Sequence, residues 1–300
     1  MKYLITGGSG LIGSEITKLL LKKNEDVNWL TSSKKNKIGV KSFNWNIYTN
    51  QIDENCFQDV DVIIHLAGAG IADKKWSANR KKELIDSRIK STQLLFETLN
   101  LRQNKPKSII CASAIGIYKN QNDDLLNETS EIGNDFLANL TNQWENEVNK
   151  FENIGIRVVK IRTGIVLSKD AGYLKSVAAP AKYGLAAALG NGKMITSWIH
   201  ITDMANLFLF AAKNEKMQGV YNAVAPNPVT NYEMTKQIAK ALNRPFFLPN
   251  IPAFILKLVF GEMASVIFMS QNITSKKTEE TGFKFEYLKI KDALEDIYKK

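Results

Sequence analysis

Three hundred residues, 44% apolar and 23% charged, suffice for one large domain or a domain with an appendage, and a chain this long buries a core without staples. Two cysteines, Cys56 and Cys111, exclude a disulfide framework and fit a reducing, cytoplasmic setting. The net charge of +10 rests on lysines spread along the chain rather than on an arginine-rich patch, so nucleic acid is not an expected partner.

In chain order, the strand candidates are Lys2–Thr6, Val27–Thr31, Ser42–Trp45, Val60–Leu66, Ser108–Ala112 and Arg157–Ile161. Helical stretches fall between several of them, at Leu11–Lys23, Arg80–Leu101 and Asp135–Asn153. Such alternation implies an α/β fold, a doubly wound parallel sheet with helices on both faces. The nearly all-apolar run from Val60 to Leu66 suits a central strand buried on both sides. Lys2–Thr6 already forms a strand, so no cleavable leader is expected. After Gly164 the pattern changes, and Gly172–Gly192 is rich in Ala and Gly. The expected division is a dinucleotide-binding domain over 1–168 and a smaller, mainly substrate-binding domain over 169–300. Elements at about 196–230 return to the first sheet. The apolar stretch Ile251–Met269 contains Pro252, Lys257, Gly261 and Glu262. It is read as a buried or amphipathic helix, not a transmembrane segment.

The first strand ends in Thr6-Gly7-Gly8-Ser9-Gly10-Leu11-Ile12-Gly13. Glycines at 7, 10 and 13 let the chain turn sharply, approach a pyrophosphate closely and pack a helix on the strand. The helix opening at Leu11 and Ile12 offers free amides and its positive dipole end to phosphate. Strand, glycine loop and helix together indicate a Rossmann-type dinucleotide site. The second strand closes without the acidic residue that holds a ribose 2′-hydroxyl. Thr31, Ser32, Lys34 and Lys35 stand there, with Ser33 and Lys37, and suit a 2′-phosphate. NADP(H) is therefore the expected cofactor, with NAD(H) as the alternative.

Longer motifs then carry a resemblance. They are the loop Thr6–Gly13, Asp61-Val62-Ile63-Ile64-His65-Leu66-Ala67-Gly68, and Ala112-Ser113-Ala114-Ile115-Gly116-Ile117-Tyr118. Arg162-Thr163-Gly164 and Trp198-Ile199-His200-Ile201-Thr202-Asp203 follow. The chain resembles the extended short-chain dehydrogenase/reductase superfamily, the NAD-dependent epimerase/dehydratase family. Within it the chain is most similar to a poorly characterised subgroup of epimerase-like oxidoreductases. That likeness rests on Gly70-Ile71-Ala72, Trp76, Ser87-Arg88-Ile89 and Gly261-Glu262-Met263-Ala264. The resemblance implies cofactor contacts from Leu66, Ala67, Gly68, Thr163 and Gly164. Arg88 and Arg162 are also read as cofactor contacts, either one able to pair with a phosphate or a substrate carboxylate.

The superfamily moves a proton with a Ser, a Tyr and a Lys while hydride moves at the nicotinamide. Ser113 matches the serine. The Tyr-x-x-x-Lys pair is missing: no tyrosine lies between Tyr118 and Tyr173. Tyr232/Lys236 and Tyr287/Lys291 match the spacing but sit in the C-terminal third. Tyr118 is the candidate substitute proton donor beside Ser113. The subgroup's usual arginine after the second strand is Ser32 here, and its usual extra glycines are Ala186-Ala187-Ala188. His65 and His200 are the only histidines and lack partners at metal-ligand spacing, so both are read as structural and no metal is expected. Cys111 is read as a small buried hydrophobe. The expected function is an NADP(H)-dependent oxidoreductase or epimerase-like enzyme on a small polar substrate, compatible with a homodimer. The alternative is a non-catalytic NADP(H)-binding redox sensor.

Overall fold

The computed structural model describes residues 1–33 and 37–299. Its strands are β1 (Lys2–Thr6), β2 (Asp26–Thr31), β3 (Val40–Asn46), β4 (Gln51–Ile52), β5 (Val62–His65), β6 (Ser108–Ala114), β7 (Gln121–Leu126), β8 (Arg157–Thr163), β9 (Ile165–Leu167), β10 (Ile195–Thr196), β11 (Trp198–His200), β12 (Gly219–Ala223), β13 (Val229–Thr230) and β14 (Gln271–Ile273). Its helices are α1 (Leu11–Lys22), α2 (Ala78–Asn100), α3 (Phe136–Asn149), α4 (Gly172–Ala181), α5 (Ile201–Lys213), α6 (Asn231–Ala241), α7 (Ala253–Phe260), α8 (Ala264–Ile267), α9 (Lys276–Glu280) and α10 (Ile290–Tyr298).

Eight strands form one sheet in the order β12-β8-β6-β5-β1-β2-β3-β4. Every pairing in it is parallel except β3 with β4. The period of two sorts each strand between two cores. Tyr3, Ile5, Val62 and Ile64 face α1 and α5, packing with Ile16, Leu20 and Phe208. Leu4 and Ile63 face α2 and α3, packing with Leu94, Leu95, Trp144 and Val148. Because both faces are covered, these strands are continuous apolar runs. A third cluster, including Leu174, Trp198, Met234 and Leu294, holds α4, α6 and α10 together beyond β8.

Local signals set the helix ends. Ser77 caps α2 by accepting the Arg80 amide, and Asp135 caps α3 by accepting the Ala138 amide. After Asn149 the chain tightens into a 3-10 turn that closes at Gly155, at φ +78°. The stretch 251–269 departs from the single helix expected of it. Gly261, at φ +59°, breaks it into α7, a 3-10 turn and α8. On α7 only Leu256 is buried, while Phe254, Ile255, Leu258 and Val259 are exposed. Among the described residues no helix is long and apolar enough to cross a membrane.

From β1 the chain moves outward through β2 and β3, then returns to build β5, β6 and β8 on the other side. The order therefore reverses between β1 and β5, and the crevice beyond the carboxyl ends of those strands is where such sheets bind ligands.

Candidate functional site

Two loops meet at that crevice, the glycine loop after β1 and Leu66-Ala67-Gly68 after β5. Gly7 has φ +69°, and a β-carbon on it would lie 2.9 Å from the Leu66 carbonyl. Its own carbonyl accepts the Gly10 amide at 2.9 Å, and the Gly10 carbonyl accepts the Ser14 amide at 2.9 Å. A β-carbon on Gly13 would stand 2.4 Å from the Gly7 oxygen, so any side chain there would push α1 off the loop. Gly10 differs: its β-carbon would meet only the Gly7 oxygen, at 3.2 Å. The side of Gly10 that lacks a side chain therefore looks out of the protein. A cleft of about 620 Å³ runs there, lined by Ser9, Gly10, Leu11 and Ser14 on one side and by Ser168 and Asp170 on the other. Ile12 and Leu11 are half-buried at the start of α1.

A hydrogen-bond chain ties the two loops together. Thr6 Oγ1 accepts the Leu66 and Ala67 amides, both at 3.1 Å, and donates to His65 Nδ1 at 2.7 Å. Thr92 donates its own hydrogen to the Arg88 carbonyl at 2.7 Å, so it accepts from His65 Nε2 at 3.0 Å. That order makes His65 the neutral Nε2–H tautomer. Burial pushes its pKa down to about 3. His200 is also enclosed. Its Nδ1 accepts the Thr202 amide at the start of α5, and its ring lies 3.8 Å from that of Tyr287. Burial lowers its pKa to about 4, outweighing the nearby Asp296 carboxylate.

Both rings stay neutral in the fold, whereas unfolded histidine takes up a proton near pH 6.5. Stability is therefore complete above pH 6.5 and declines as the pH falls toward 4. At pH 5 each histidine should have cost about 2 kcal/mol. Urea unfolding at pH 7 and pH 5 reads this directly, and His65→Gln should remove about half of the difference. Equal stability at the two values would refute it.

At the second strand's end, Thr31 Oγ1 accepts the Ser33 amide at 3.2 Å and donates to the Ser33 carbonyl at 3.1 Å, while Ser32 is exposed. Lys34 and Lys35 lie outside the described residues. Lys37, a neighbour in that lysine loop, lines the cleft. Its Nζ lies 5.8 Å over the Trp29 ring and donates to the Ser14 carbonyl at 3.5 Å.

Beyond β6 lies a buried polar network. Ser113 and Arg162 are register partners on β6 and β8. Glu145 descends from α3 between them. Arg162 grips its carboxylate with two bonds, Nε to Oε1 at 2.8 Å and Nη2 to Oε2 at 2.9 Å. Ser113 Oγ donates to Oε1 at 2.5 Å. Arg162 Nη1 donates to the Tyr118 hydroxyl at 2.9 Å and to the Glu128 carbonyl at 3.1 Å. Tyr118 in turn donates to Asn222 Oδ1 at 2.6 Å. Ser113, Tyr118, Glu145, Arg162 and Asn222 are all buried. Burial alone would raise the Glu145 pKa, but Arg162 overrides it and holds the carboxyl below its usual range. Burial raises Tyr118 to about 12 against the pull of Arg162.

The sequence expectations land unevenly on this geometry. Gly7, Gly10, Leu11, Ile12, Gly13, Leu66, Ala67 and Gly68 converge on the crevice. Thr163 and Gly164 follow at the end of β8, where a β-carbon on Gly164 would come within 2.9 Å of the Ser197 oxygen. Arg162 and Tyr118, expected to meet ligand, turn inward and bond to each other. Glu145, Asn222 and Thr6 belong to the constellation without having been read as site residues, whereas Lys37 was expected near a 2′-phosphate. Glu145 carried a signal: it falls on the apolar face of α3 with Leu140, Thr141, Trp144 and Val148, and a charge on such a face demands a partner. No residue of α3 is Tyr or Lys.

The family model of the NAD dependent epimerase/dehydratase family matches residues 3–224. The chain belongs to that family. A domain of unknown function, DUF1731, matches residues 251–297. An epimerase family protein of Staphylococcus aureus is 34% identical over 305 residues, covering 100% of this chain and 99% of the relative. One from Staphylococcus saprophyticus is 35% identical, covering 98% of each. Among solved structures, the human epimerase family protein SDR39U1 with NADPH aligns at a TM-score of 0.87 with 27% identity over 99% of both chains. A nucleoside-diphosphate sugar epimerase from Corynebacterium glutamicum aligns at 0.79 with 30% identity, covering 98% of this chain and 57% of that one. A UDP-glucose 4-epimerase from Thermotoga maritima, at 0.83 and 18% identity, shares the fold.

Proposed function

We propose that the chain is an NADP(H)-dependent oxidoreductase or epimerase-like enzyme acting on a small polar substrate, a nucleotide-sugar or a carbonyl metabolite. The observation that carries this is the open side of Gly10. The loop is closed everywhere a side chain would disturb the fold, and open where a pyrophosphate would lie against the first turn of α1. When bound in that loop, the dinucleotide would supply or accept hydride. The human relative's structure with NADPH and the bacterial relative's name as a sugar epimerase support the cofactor and the substrate class.

Ser32, Lys34, Lys35 and Lys37 would meet a 2′-phosphate, and NADPH should bind at least about tenfold more tightly than NADH. Titration with both cofactors decides it. Lys34→Glu, Lys35→Glu and Lys37→Glu together should erode the preference, and an equal or greater affinity for NADH would sink it.

Ser113 is the residue assigned to the substrate oxygen. Its hydrogen is committed to Glu145, so its lone pairs are free to accept a substrate hydroxyl. That polarity fits an alcohol presented for oxidation. Tyr118 and Arg162 are assigned as interior struts that hold Glu145, and through it Ser113, in place. Ser113→Ala should cut turnover at least tenfold in a screen of nucleotide-sugars and carbonyl metabolites. The reading as an NADP(H) sensor is favoured by the lack of Tyr and Lys on α3. Tight NADPH binding without turnover across that screen would decide for it.

A further inference from the structure

Arg88 is a half-buried cation with no anion beside it among the described residues. The other arginines are accounted for. Arg80, Arg102 and Arg162 pair with Glu83, Glu54 and Glu145. Arg157 spends both terminal nitrogens on main-chain carbonyls, and Arg244 is exposed. Arg88 Nη1 donates to the Ala69 and Leu84 carbonyls, each at 3.1 Å. The guanidinium lies over Trp144, with Cζ 5.3 Å from the ring centroid. The carbonyls and the indole fix its orientation. Nε and Nη2 donate to no described residue.

That free edge is the one that grips two oxygens at once. It also borders the crevice. A β-carbon on Gly68 would stand 3.1 Å from Cζ and 3.3 Å from Nη2, so the glycine leaves the guanidinium room at the loop after β5. Trp144 neighbours Glu145 on α3, the helix that reaches Ser113. Burial lowers the Arg88 pKa to about 10, which still leaves it charged at neutral pH. A desolvated cation without a partner is costly, and a ligand anion would offset that cost.

We propose that the Nε–Nη2 edge of Arg88 binds an oxyanion of the substrate, a carboxylate or a phosphate. This rests on the NADP(H)-dependent reading above. A bound dinucleotide would have the amides at the start of α1 for its own phosphates, whereas Arg88 reaches the crevice from α2, on the side of α3. The shared chemistry leaves two sources for the anion, substrate and cofactor, and affinities measured in sequence tell them apart.

The experiment is calorimetric. Wild type, Arg88→Gln and Arg88→Lys are first titrated with NADPH. Each saturated complex is then titrated with inorganic phosphate, oxalate and uridine diphosphate. At least one anion should bind the wild-type complex and bind tenfold or more weakly to Arg88→Gln. Arg88→Lys, which keeps the charge but not the fork, should fall between. NADPH affinity should change by less than threefold in both variants. A tenfold loss of NADPH affinity in Arg88→Gln would give the edge to the cofactor and overturn the proposal. So would anion binding that is absent from the wild-type complex or unchanged by the substitution. If Arg88→Gln does not fold, Arg88→Lys decides alone: a loss of threefold or more supports the proposal, and wild-type affinity overturns it. Failure of wild type to bind NADPH shows in the first titration and overturns the functional reading itself.

Discussion

Gly10→Val should yield a folded protein that has lost NADPH. The backbone at Gly10 is extended, at φ −76° and ψ 178°, a conformation that valine adopts readily. Its β-carbon would meet only the Gly7 oxygen, at 3.2 Å, so the loop has little to yield. The added methyls would instead occupy the space beside the first turn of α1, where a pyrophosphate has to approach the backbone. The expected loss is at least about a hundredfold in affinity, near 2.7 kcal/mol, with a melting temperature close to wild type. Gly13→Ala supplies the contrast. Its β-carbon would fall 2.4 Å from the Gly7 oxygen and 2.7 Å from Gly8 Cα, so it should cost stability as well as binding. A fluorescence titration and a thermal melt on each variant separate the two effects. A folded Gly10→Val protein that binds NADPH within threefold of wild type would remove the dinucleotide from this loop.

The parts of the fold legible in the sequence are those whose burial imposes a period. β1, β5 and β6 are apolar on both faces because helices cover both faces, and they stand out as runs. α2 and α3 carry their own caps in Ser77 and Asp135. β14 is three residues long and pairs with β7, some 150 positions earlier; nothing local marks either one. The hydropathy of Ile251–Met269 suggested one buried or amphipathic helix, but Gly261 breaks the stretch and the first helix turns most of its apolar residues outward. In the site, the glycine loop was readable because Gly7 and Gly13 answer local steric needs and Gly10 completes their spacing. The polar network was not. Arg162 follows Val158, Val159 and Ile161 in a buried strand, which announces a partner but not which one. Glu145 and Asn222 reach it from α3 and β12, and only the folded topology brings them together.

Arg162→Met should be among the most damaging single substitutions in the protein. Among the described residues it removes the only basic side chain bonded to Glu145, and it leaves a carboxylate, 5% exposed, without its counterion. Breaking a buried pair on one side costs about 3–5 kcal/mol, because the surviving charge keeps its desolvation penalty. Tyr118 would also lose the donor to its hydroxyl oxygen. Glu145→Gln should cost a similar amount, since its single amide oxygen can accept from Ser113 and Arg162 Nε but its NH2 then faces Nη2 and the buried guanidinium has lost its counterion. The double variant Arg162→Met with Glu145→Leu should recover much of the loss, as apolar replacements of buried pairs often do. Urea unfolding of these four proteins and of the single variant Glu145→Leu closes the cycle and measures each step. Additive losses in the double variant would mean that the two side chains are not coupled. Tyr118→Phe carries the test into chemistry. It deletes the hydroxyl that links Arg162 to Asn222 but leaves Ser113 and Glu145 bonded. If Tyr118 is a strut, the variant loses about 1–2 kcal/mol of stability and keeps its turnover within a few fold. If Tyr118 gives the proton, turnover falls by about 10²-fold or more while stability changes no further.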